Sequence, residues 1–371
     1  MERFHGVDRH KAYSTISVLN REGVEVEFHP AVRDLKGYLQ RLGPEDAVVL
    51  ESSTGSFWWA DQIESRGAVC FVLNPHRFRI IKDSWNKTDT RDSRNMAKAL
   101  WVFMVTGEFG LPTVYKPSCA VRELRRLFTY YDLVTRQIRM LKNGIQALLV
   151  ENGVELKEGE KNKLLSPLHG PDLIRNYELS SASMTIIAGE MDLLGTLTKN
   201  KDEAVLEILR AGEVFQDQVE LLITIRGITP LTALAFLSDV GDISRFKSAR
   251  KMDAYLGLVP QCSDSGGKVR HGHITRESRK LSRTILTQSL VQVVDASPQF
   301  RQFYEQLKER RGAGRARIAL IRKLCGVMRH MLISGEEYRN KEDALFSKKR
   351  ALFRRILANG KGEGKVLRKT A

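Results

Sequence analysis

Phe4-His5-Gly6-Val7-Asp8 and Ser14-Thr15-Ile16-Ser17-Val18-Leu19 open the chain as one β-rich run broken by the polar Arg9-His10-Lys11. Arg21-Glu22-Gly23 reads as a turn, and Val24-Glu25-Val26-Glu27-Phe28 follows it. The β-rich residues and the alternation of the last run predict strand, turn, strand. Ala31 to Leu42 then carries Val32, Leu35, Leu39 and Leu42 at helical spacing. After Gly43-Pro44, Ala47-Val48-Val49-Leu50 reads as a buried strand that ends at Glu51. Trp58 to Arg66 predicts a helix stopped by Gly67, Ala68 to Leu73 a further buried strand with Asn74-Pro75 as its exit, and Thr90 to Val105 another helix. The order β-β-α-β-α-β-α, with its middle strands flanked by helices, gives an α/β domain over roughly residues 1–110.

Beyond Pro112 and Pro117 the pattern changes. Leu124, Leu127, Tyr131, Val134, Ile138, Leu141, Ile145 and Leu148 step alternately by three and four, as in a coiled-coil seam. Val205, Ile208, Gly212, Phe215, Val219 and Leu222 form a second seam, across an intervening 152–200 that reads as loop-rich. A long antiparallel helical arm is expected, paired either within one chain or between two copies. Ile225-Arg226-Gly227-Ile228-Thr229-Pro230 resembles the turn of a helix-hairpin-helix, whose amides hold a DNA phosphate, although Thr229 stands where that motif usually has a second glycine. Phe246 to Leu258, Arg276 to Asp295 and Ala316 to Leu332 read as helices, with Val259 to Lys268 as a loop.

The chain has 371 residues with 60 Lys plus Arg against 44 Asp plus Glu, a net charge of +16. With 42% hydrophobic residues, wholesale disorder is excluded, and the length suits two or three domains. The excess positive charge is local. Residues 1–110 hold 15 basic and 15 acidic side chains, whereas 243–283 hold 10 and 3, and 301–371 hold 20 and 7. The C-terminal half is therefore the half suited to a polyphosphate, although 341–371, with Lys348-Lys349-Arg350 and Arg354-Arg355, also reads as a solvated basic tail. Cys70, Cys119, Cys262 and Cys325 lie too far apart to form a CxxC pair, which argues against a zinc finger or a disulfide framework. The polar N-terminus and the lack of any apolar run near the roughly 18–20 residues of a membrane span lead us to expect a soluble, cytoplasmic protein.

Two constellations carry chemistry. Asp8 lies on the first strand, Glu51 at the end of a buried strand, and Asp89 and Asp92 three apart at the start of a helix, where they share a face. Carboxylates so placed supply the oxygen ligands that one or two Mg²⁺ ions require, and two such ions about 4 Å apart stabilise attacking and leaving oxygens in phosphodiester exchange. Either helix aspartate alone also fits an N-cap. The second is Ser263-Asp264-Ser265-Gly266-Gly267-Lys268, followed by Arg270, His271, His273, Thr275 and Arg276. A hydroxyl beside two glycines is sterically open, and the nearby cations suit phosphate oxygens, although the same composition occurs in ordinary loops.

Taken together these residues resemble the DEDD transposases of bacterial insertion sequences, the family numbered one hundred and ten, now known as bridge-RNA-guided recombinases. The likeness rests on Gly6-Val7-Asp8, Leu50-Glu51-Ser52-Ser53-Thr54-Gly55, Asn74-Pro75 and Asn86-Lys87-Thr88-Asp89-Thr90-Arg91-Asp92. It extends through Tyr255-Leu256-Gly257-Leu258-Val259-Pro260 into Ser265-Gly266-Gly267-Lys268, and spans about 5–335. The resemblance implies an RNase H-like (RuvC-like) mixed-sheet domain over 1–112, with Asp8, Glu51, Asp89 and Asp92 holding Mg²⁺ or Mn²⁺. It further implies a coiled-coil arm and linker over 113–222, a mainly helical transposase domain over 223–340 and a basic tail over 341–371. Ser265 is then the nucleophile that forms a transient phosphoserine, with Ser263 as the alternative, because relatives read Ser-Ser-Gly or Ser-Thr-Gly where this chain has Asp264-Ser265-Gly266. Lys87, Arg91, Lys268, Arg270 and Arg276 fall to nucleic-acid contact. The implied partners are donor and target DNA, a structured noncoding bridge RNA, and further copies of the chain, as a dimer and as a tetramer on DNA.

Three rivals remain at this point. A RuvC-like junction resolvase would use the same carboxylates with water and no serine. An actin-like sugar kinase would need a second Asp-x-Gly loop that is not evident. A non-catalytic nucleic-acid-binding protein would not depend on a divalent metal.

Overall fold

The computed structural model describes residues 1–81, 89–108, 110–157, 159–265, 268–274 and 281–359. The chain divides into two compact units, Met1–Lys116 and Pro117–Ala371.

In the first unit β1 (Arg3–Arg9), β2 (Ser14–Leu19) and β3 (Glu25–Val32) form an antiparallel meander, and β4 (Asp46–Glu51) and β5 (Val69–Leu73) continue the sheet in parallel from β1. The sheet order is β3-β2-β1-β4-β5, a mixed five-stranded arrangement consistent with an RNase H-like α/β domain. Helices α1 (Leu35–Leu39), α2 (Ser56–Glu64), α3 (Pro75–Ile81) and α4 (Asp89–Trp101) complete it. Strand alternation sorts the core into two layers. Val7, Val48 and Leu50 pack with Leu35, Leu39 and Ile63, while Phe4, Ala47 and Val49 pack with Met96, Ala97 and Leu100 of α4. The helix expected from Ala31 shrinks to Leu35–Leu39, because β3 runs on to Val32 and the Asp34 side chain caps the helix by accepting from Gly37 N. A buried polar cluster joins β1 to the start of β4: the Asp46 carboxylate accepts from Arg3 Nε at 2.7 Å and the Gly43 amide at 2.8 Å, with His5 Nε2 at 3.1 Å. Burial opposes the charge, but the hydrogen bonds from His5, Arg3 and Gly43 outweigh it and hold the carboxyl down at about 2.

The second unit begins with α5 (Cys119–Glu151), followed by α6 (Lys161–Leu164), α7 (Gly170–Ile174) and α8 (Ser181–Ala211). The end of α5 meets the start of α8, where Ile145 and Leu149 pack with Ile187 and Met191 and Asn152 Nδ2 donates to Ser183 Oγ at 3.0 Å. The start of α5 meets the end of α8 through Leu124, Phe128, Val205 and Ile208. The two long helices therefore form an antiparallel hairpin within one chain. Two expectations are corrected. The loop-rich 152–200 contains more than half of α8, from Ser181 onward, capped by Ser180, whose side chain accepts from Ser183 N. The second seam is also not one helix: it breaks at Gly212, where an added Cβ would lie 2.6 Å from Leu234 Cδ1, and resumes as α9 (Gln216–Leu222).

The centre of this unit is α10 (Pro230–Val240), every residue of which is buried. Around it lie α11 (Ala249–Tyr255), α12 (Leu281–Ala296), α13 (Pro298–Arg311), α14 (Ala313–Ser334) and α15 (Asp343–Asn359), and the start of α5 and end of α8 share their hydrophobic core. The segment read as a loop over 259–268 is instead part of a hairpin, β6 (Pro260–Ser265) with β7 (Lys268–Ile274). The basic tail is corrected as well. Residues 343–359 form α15, whose Phe346, Phe353 and Ile356 lie in the core and whose Lys and Arg residues mask that apolar spacing in the sequence. Among the described residues no helix is long and apolar enough to cross a membrane.

Candidate metal centre

The carboxylates singled out from the sequence converge for reasons of strand geometry. On β1 the residues Phe4, Gly6 and Asp8 face α4, because alternate positions of a strand share a face; on β4 the same alternation turns Ala47, Val49 and Glu51 to α4. Val7 pairs with Leu50 in parallel register, so Asp8 and Glu51 are neighbours at the C-terminal ends of adjacent strands. Asp89 and Asp92 occupy the first turn of α4, which packs across this face. The close approach depends on Gly6, whose position would put an added Cβ 2.1 Å from Ser93 O and 2.4 Å from Ala97 N.

Asp8 and Asp92 are buried, and Asp89 and Glu51 half-buried. Burial pushes the Asp8 carboxyl above its ordinary range; His10 opposes this, and the negative charges of Asp92, Asp89 and Glu51 add to it. His10 Nε2 stands 3.3 Å from Asp8 Oδ2 and 3.3 Å from Asp89 Oδ2, buried and aligned as a hydrogen bond with neither. The Tyr13 hydroxyl donates to Asp89 Oδ2 at 2.8 Å, and that bond raises the Tyr13 pKa. Arg9 fastens the loop after Glu51, donating to Ser53 Oγ at 3.1 Å and to the Thr54 carbonyl.

Ligand atoms of Asp8, His10 and Asp89 all lie within 4.8 Å of one another. An imidazole nitrogen without a hydrogen bond between two carboxylates, beside a buried acid surrounded by further negative charges, fits a divalent cation. The oxygen-rich set suits Mg²⁺ or Mn²⁺, and the imidazole leans toward a transition metal. His10 and Tyr13 were missed in the sequence, where Arg9-His10-Lys11 reads only as an interruption between strands. The signal available was the Asp-x-His spacing at a strand end.

The second constellation is placed only in its backbone. Ser265 pairs with Lys268 and Ser263 with Arg270 across the β6–β7 hairpin, so both serines lie on β6 near its turn. The side chains of Ser263, Ser265, Lys268 and Arg270, and all of Lys87 and Arg276, fall outside the described residues. Arg91 is exposed on the first turn of α4, between the two aspartates.

Comparison with known proteins adds a family to this geometry. Residues 5–152 match a family model for DEDD transposases of the IS110 type, described as "Transposase", and residues 219–305 match one described as "Transposase IS116/IS110/IS902 family". The chain is 26% identical to the transposase for insertion sequence element IS1111A of Coxiella burnetii, over 79% of each protein. It is 24% identical to a probable family 20 transposase of Pseudomonas aeruginosa over 90% of this chain and 94% of that protein. A putative transposase of Sinorhizobium fredii, y4qE, is 36% identical over 61% of this chain and 53% of its own length.

Proposed function

Starting from the premise that this chain belongs to the IS110 family of DEDD insertion-sequence transposases, we propose that it exchanges DNA strands through a carboxylate centre and a serine nucleophile. The observation that carries the reading is the gathering of Asp8, His10 and Asp89 within 4.8 Å, with Glu51 at the end of the strand beside Asp8 and Asp92 in the same helical turn as Asp89. Asp8, Glu51, Asp89 and Asp92 would hold the divalent metal that a DEDD domain implies, with Mg²⁺ or Mn²⁺ as its identity. When bound, it supplies positive charge where phosphate oxygens gain negative charge. Asp8 and Glu51 fix the geometry because they sit on adjacent strands, and Asp89 and Asp92 close it from the helix. The Tyr13 hydroxyl orients Asp89, and His10 Nε2, between Asp8 and Asp89, would be a further ligand.

Ser265 is assigned as nucleophile, with Ser263 as the alternative. The Ser265 Oγ–phosphorus bond forms as the bond to one DNA oxygen breaks, and the departing oxygen takes a proton. The hydroxyl of the other strand then attacks the phosphoserine and releases the serine, so no external energy is needed. Lys87, Arg91, Lys268, Arg270 and Arg276 are assigned to the phosphate backbone. The local positive charge of 243–283 and 301–371 supports contact with donor and target DNA and with a structured noncoding bridge RNA that supplies sequence choice by pairing. Homo-oligomers, a dimer and a tetramer on DNA, are supported by Tyr130, Leu133 and Met140 of α5 and Ile186 and Leu193 of α8, which stay exposed on the helical hairpin.

The test is recombination between donor and target plasmids with the flanking noncoding RNA supplied, comparing wild type with Glu51→Ala, Ser265→Ala and Ser263→Ala. Loss in Glu51→Ala and Ser265→Ala, with folding retained, is the expected result. Recombination that survives Ser265→Ala but not Ser263→Ala moves the nucleophile by two residues. Cleavage that survives both serine changes points to a RuvC-like resolvase that uses water.

A further inference from the structure

The turn between α9 and α10 gathers three backbone carbonyls onto one point. Ile223 O, Ile225 O and Ile228 O accept from the Lys349 ammonium at 2.7, 3.0 and 2.9 Å. The side chains of the three isoleucines are buried, so the turn's backbone is fixed from behind by the core while its carbonyls converge. Gly227 makes the bend possible: its φ is +89°, and an added Cβ would fall 2.8 Å from Val293 N. Thr229 then starts α10, its side chain accepting from Thr232 N. An ammonium has three N–H donors and no acceptor, so three carbonyls satisfy it completely. Lys349 thus sits among neutral dipoles, in the kind of carbonyl shell that replaces the hydration of a potassium ion. Burial lowers its pKa to about 8, with Glu342 opposing and Arg226 adding to the shift, which leaves it mostly protonated at neutral pH.

Beside the turn lies a cavity of about 540 Å³ whose lining includes Arg226, Gly227, Thr229, Gln292 and Lys348 as well as Lys349. Arg226 and Lys348 are exposed there, and the Arg226 guanidinium is held 3.0 Å from Glu342, the residue that precedes α15. Helix α15 therefore supplies the buried cation, and the residue just before it orients the exposed one.

We propose that the carbonyls of Ile223, Ile225 and Ile228 form a monovalent-cation site whose permanent occupant is the Lys349 ammonium, and that this built-in cation fixes the turn from which Arg226 meets a nucleic-acid phosphate backbone. Lys349 acts as a positioning residue. It makes the turn independent of the potassium or sodium around it. The nucleic-acid part rests on the reading of the chain as a DNA transposase; the cation site stands without it.

The test uses the full chain and two variants, Lys349→Ala, which leaves room for an ion, and Lys349→Met, which fills the room without charge. Melting temperatures are compared in LiCl, NaCl and KCl at equal ionic strength, and duplex affinity is followed by fluorescence anisotropy. Wild type is expected to melt alike in the three salts. Lys349→Ala should melt roughly 5 °C lower in LiCl and recover in KCl, while Lys349→Met stays low in every salt. Duplex affinity of Lys349→Ala should fall roughly tenfold in LiCl relative to wild type and return in KCl. Indifference of Lys349→Ala to the choice of cation, including failure to fold in KCl, overturns the cation site. So does wild type that is itself selectively stabilised by potassium over lithium, a measurement that needs no variant. Wild type without measurable duplex affinity overturns the nucleic-acid reading, and the melting series still judges the cation site.

Discussion

Replacing Gly6 by Ala tests the geometry of the metal centre without touching a ligand. The new Cβ would stand 2.1 Å from Ser93 O, 2.4 Å from Ala97 N and 3.0 Å from Ala97 Cα. All three are backbone atoms of α4, so no rotamer change relieves the clash. Ordinary contact requires α4 to retreat from β1 by roughly 1 Å, and overpacking on that scale costs about 1–3 kcal/mol. The retreat carries Asp89 and Asp92 with it, while Asp8 and Glu51 stay in the sheet. Metal coordination tolerates distance errors of about 0.2 Å, and a misplacement of about 1 Å at a reacting centre costs on the order of 10²-fold in rate. Urea midpoints at constant slope read the stability; Mn²⁺ titration and plasmid recombination read the centre. Gly43→Ala is the control, since nothing lies within 4 Å of a Cβ there, and it should stay within about 0.5 kcal/mol of wild type. Gly6→Ala with wild-type midpoint and wild-type Mn²⁺ affinity would refute the idea that helix–strand contact sets the carboxylate spacing.

Other consequences are checked more briefly. Saturating Mn²⁺ at about 100 times its dissociation constant should stabilise the chain by about 2.7 kcal/mol, and His10→Ala or Asp89→Asn should remove most of that gain in a thermal melt. An undiminished gain in both variants would move the metal elsewhere. Asp46 sits at about 2 in the fold against an ordinary 3.8, so it contributes about 2 kcal/mol that is present above the unfolded value and lost as the pH falls toward 2. Asp46→Asn should flatten that part of the stability profile between pH 5 and 2, and an unchanged slope would assign the acid sensitivity to other groups. Phe353→Ala should cost about 3–5 kcal/mol and Arg355→Ala under about 0.5, since the first is in the core and the second exposed. Equal small effects would return α15 to the status of a solvated tail.

The N-terminal unit was legible because its strands are short apolar runs bounded by turn residues, and because period-two alternation alone tells which carboxylates share a face. Asp8 on the first strand and Glu51 at the end of a buried strand follow from those runs. What strand patterns cannot express is how a distant helix packs on the sheet, which is why His10 and Tyr13 read as connector residues although α4 brings Asp89 to them. In the C-terminal unit the errors came from composition. Serine, threonine and glycine at the start of α8 disguised Met184, Ile187 and Met191 as loop. The run of Lys and Arg over 348–355 hid Phe346, Phe353 and Ile356, because a helix with a cationic outer face and a narrow apolar stripe reads as charge when averaged. α13 was missed for the same reason, its Phe300, Phe303 and Tyr304 being set among Gln, Arg and Lys. Cys262 and Val269 sit in strands that glycine-rich neighbours made look irregular.

The packing of α15 bears on how copies of such a gene decay. Every residue assigned to the carboxylate centre and to the serine hairpin is encoded before codon 300, so a late stop codon would leave the catalytic text intact. A chain ending at 342 would nevertheless lack Phe346, Phe353 and Ile356 from its core and the ammonium that closes the 223–229 turn. Its C-terminal unit could not close during synthesis until the last helix had left the ribosome, and without that helix the exposed apolar surface would favour aggregation over assembly. Among genomic copies, intactness is therefore better judged by the reading frame through codon 359 than by the presence of the acidic and serine motifs.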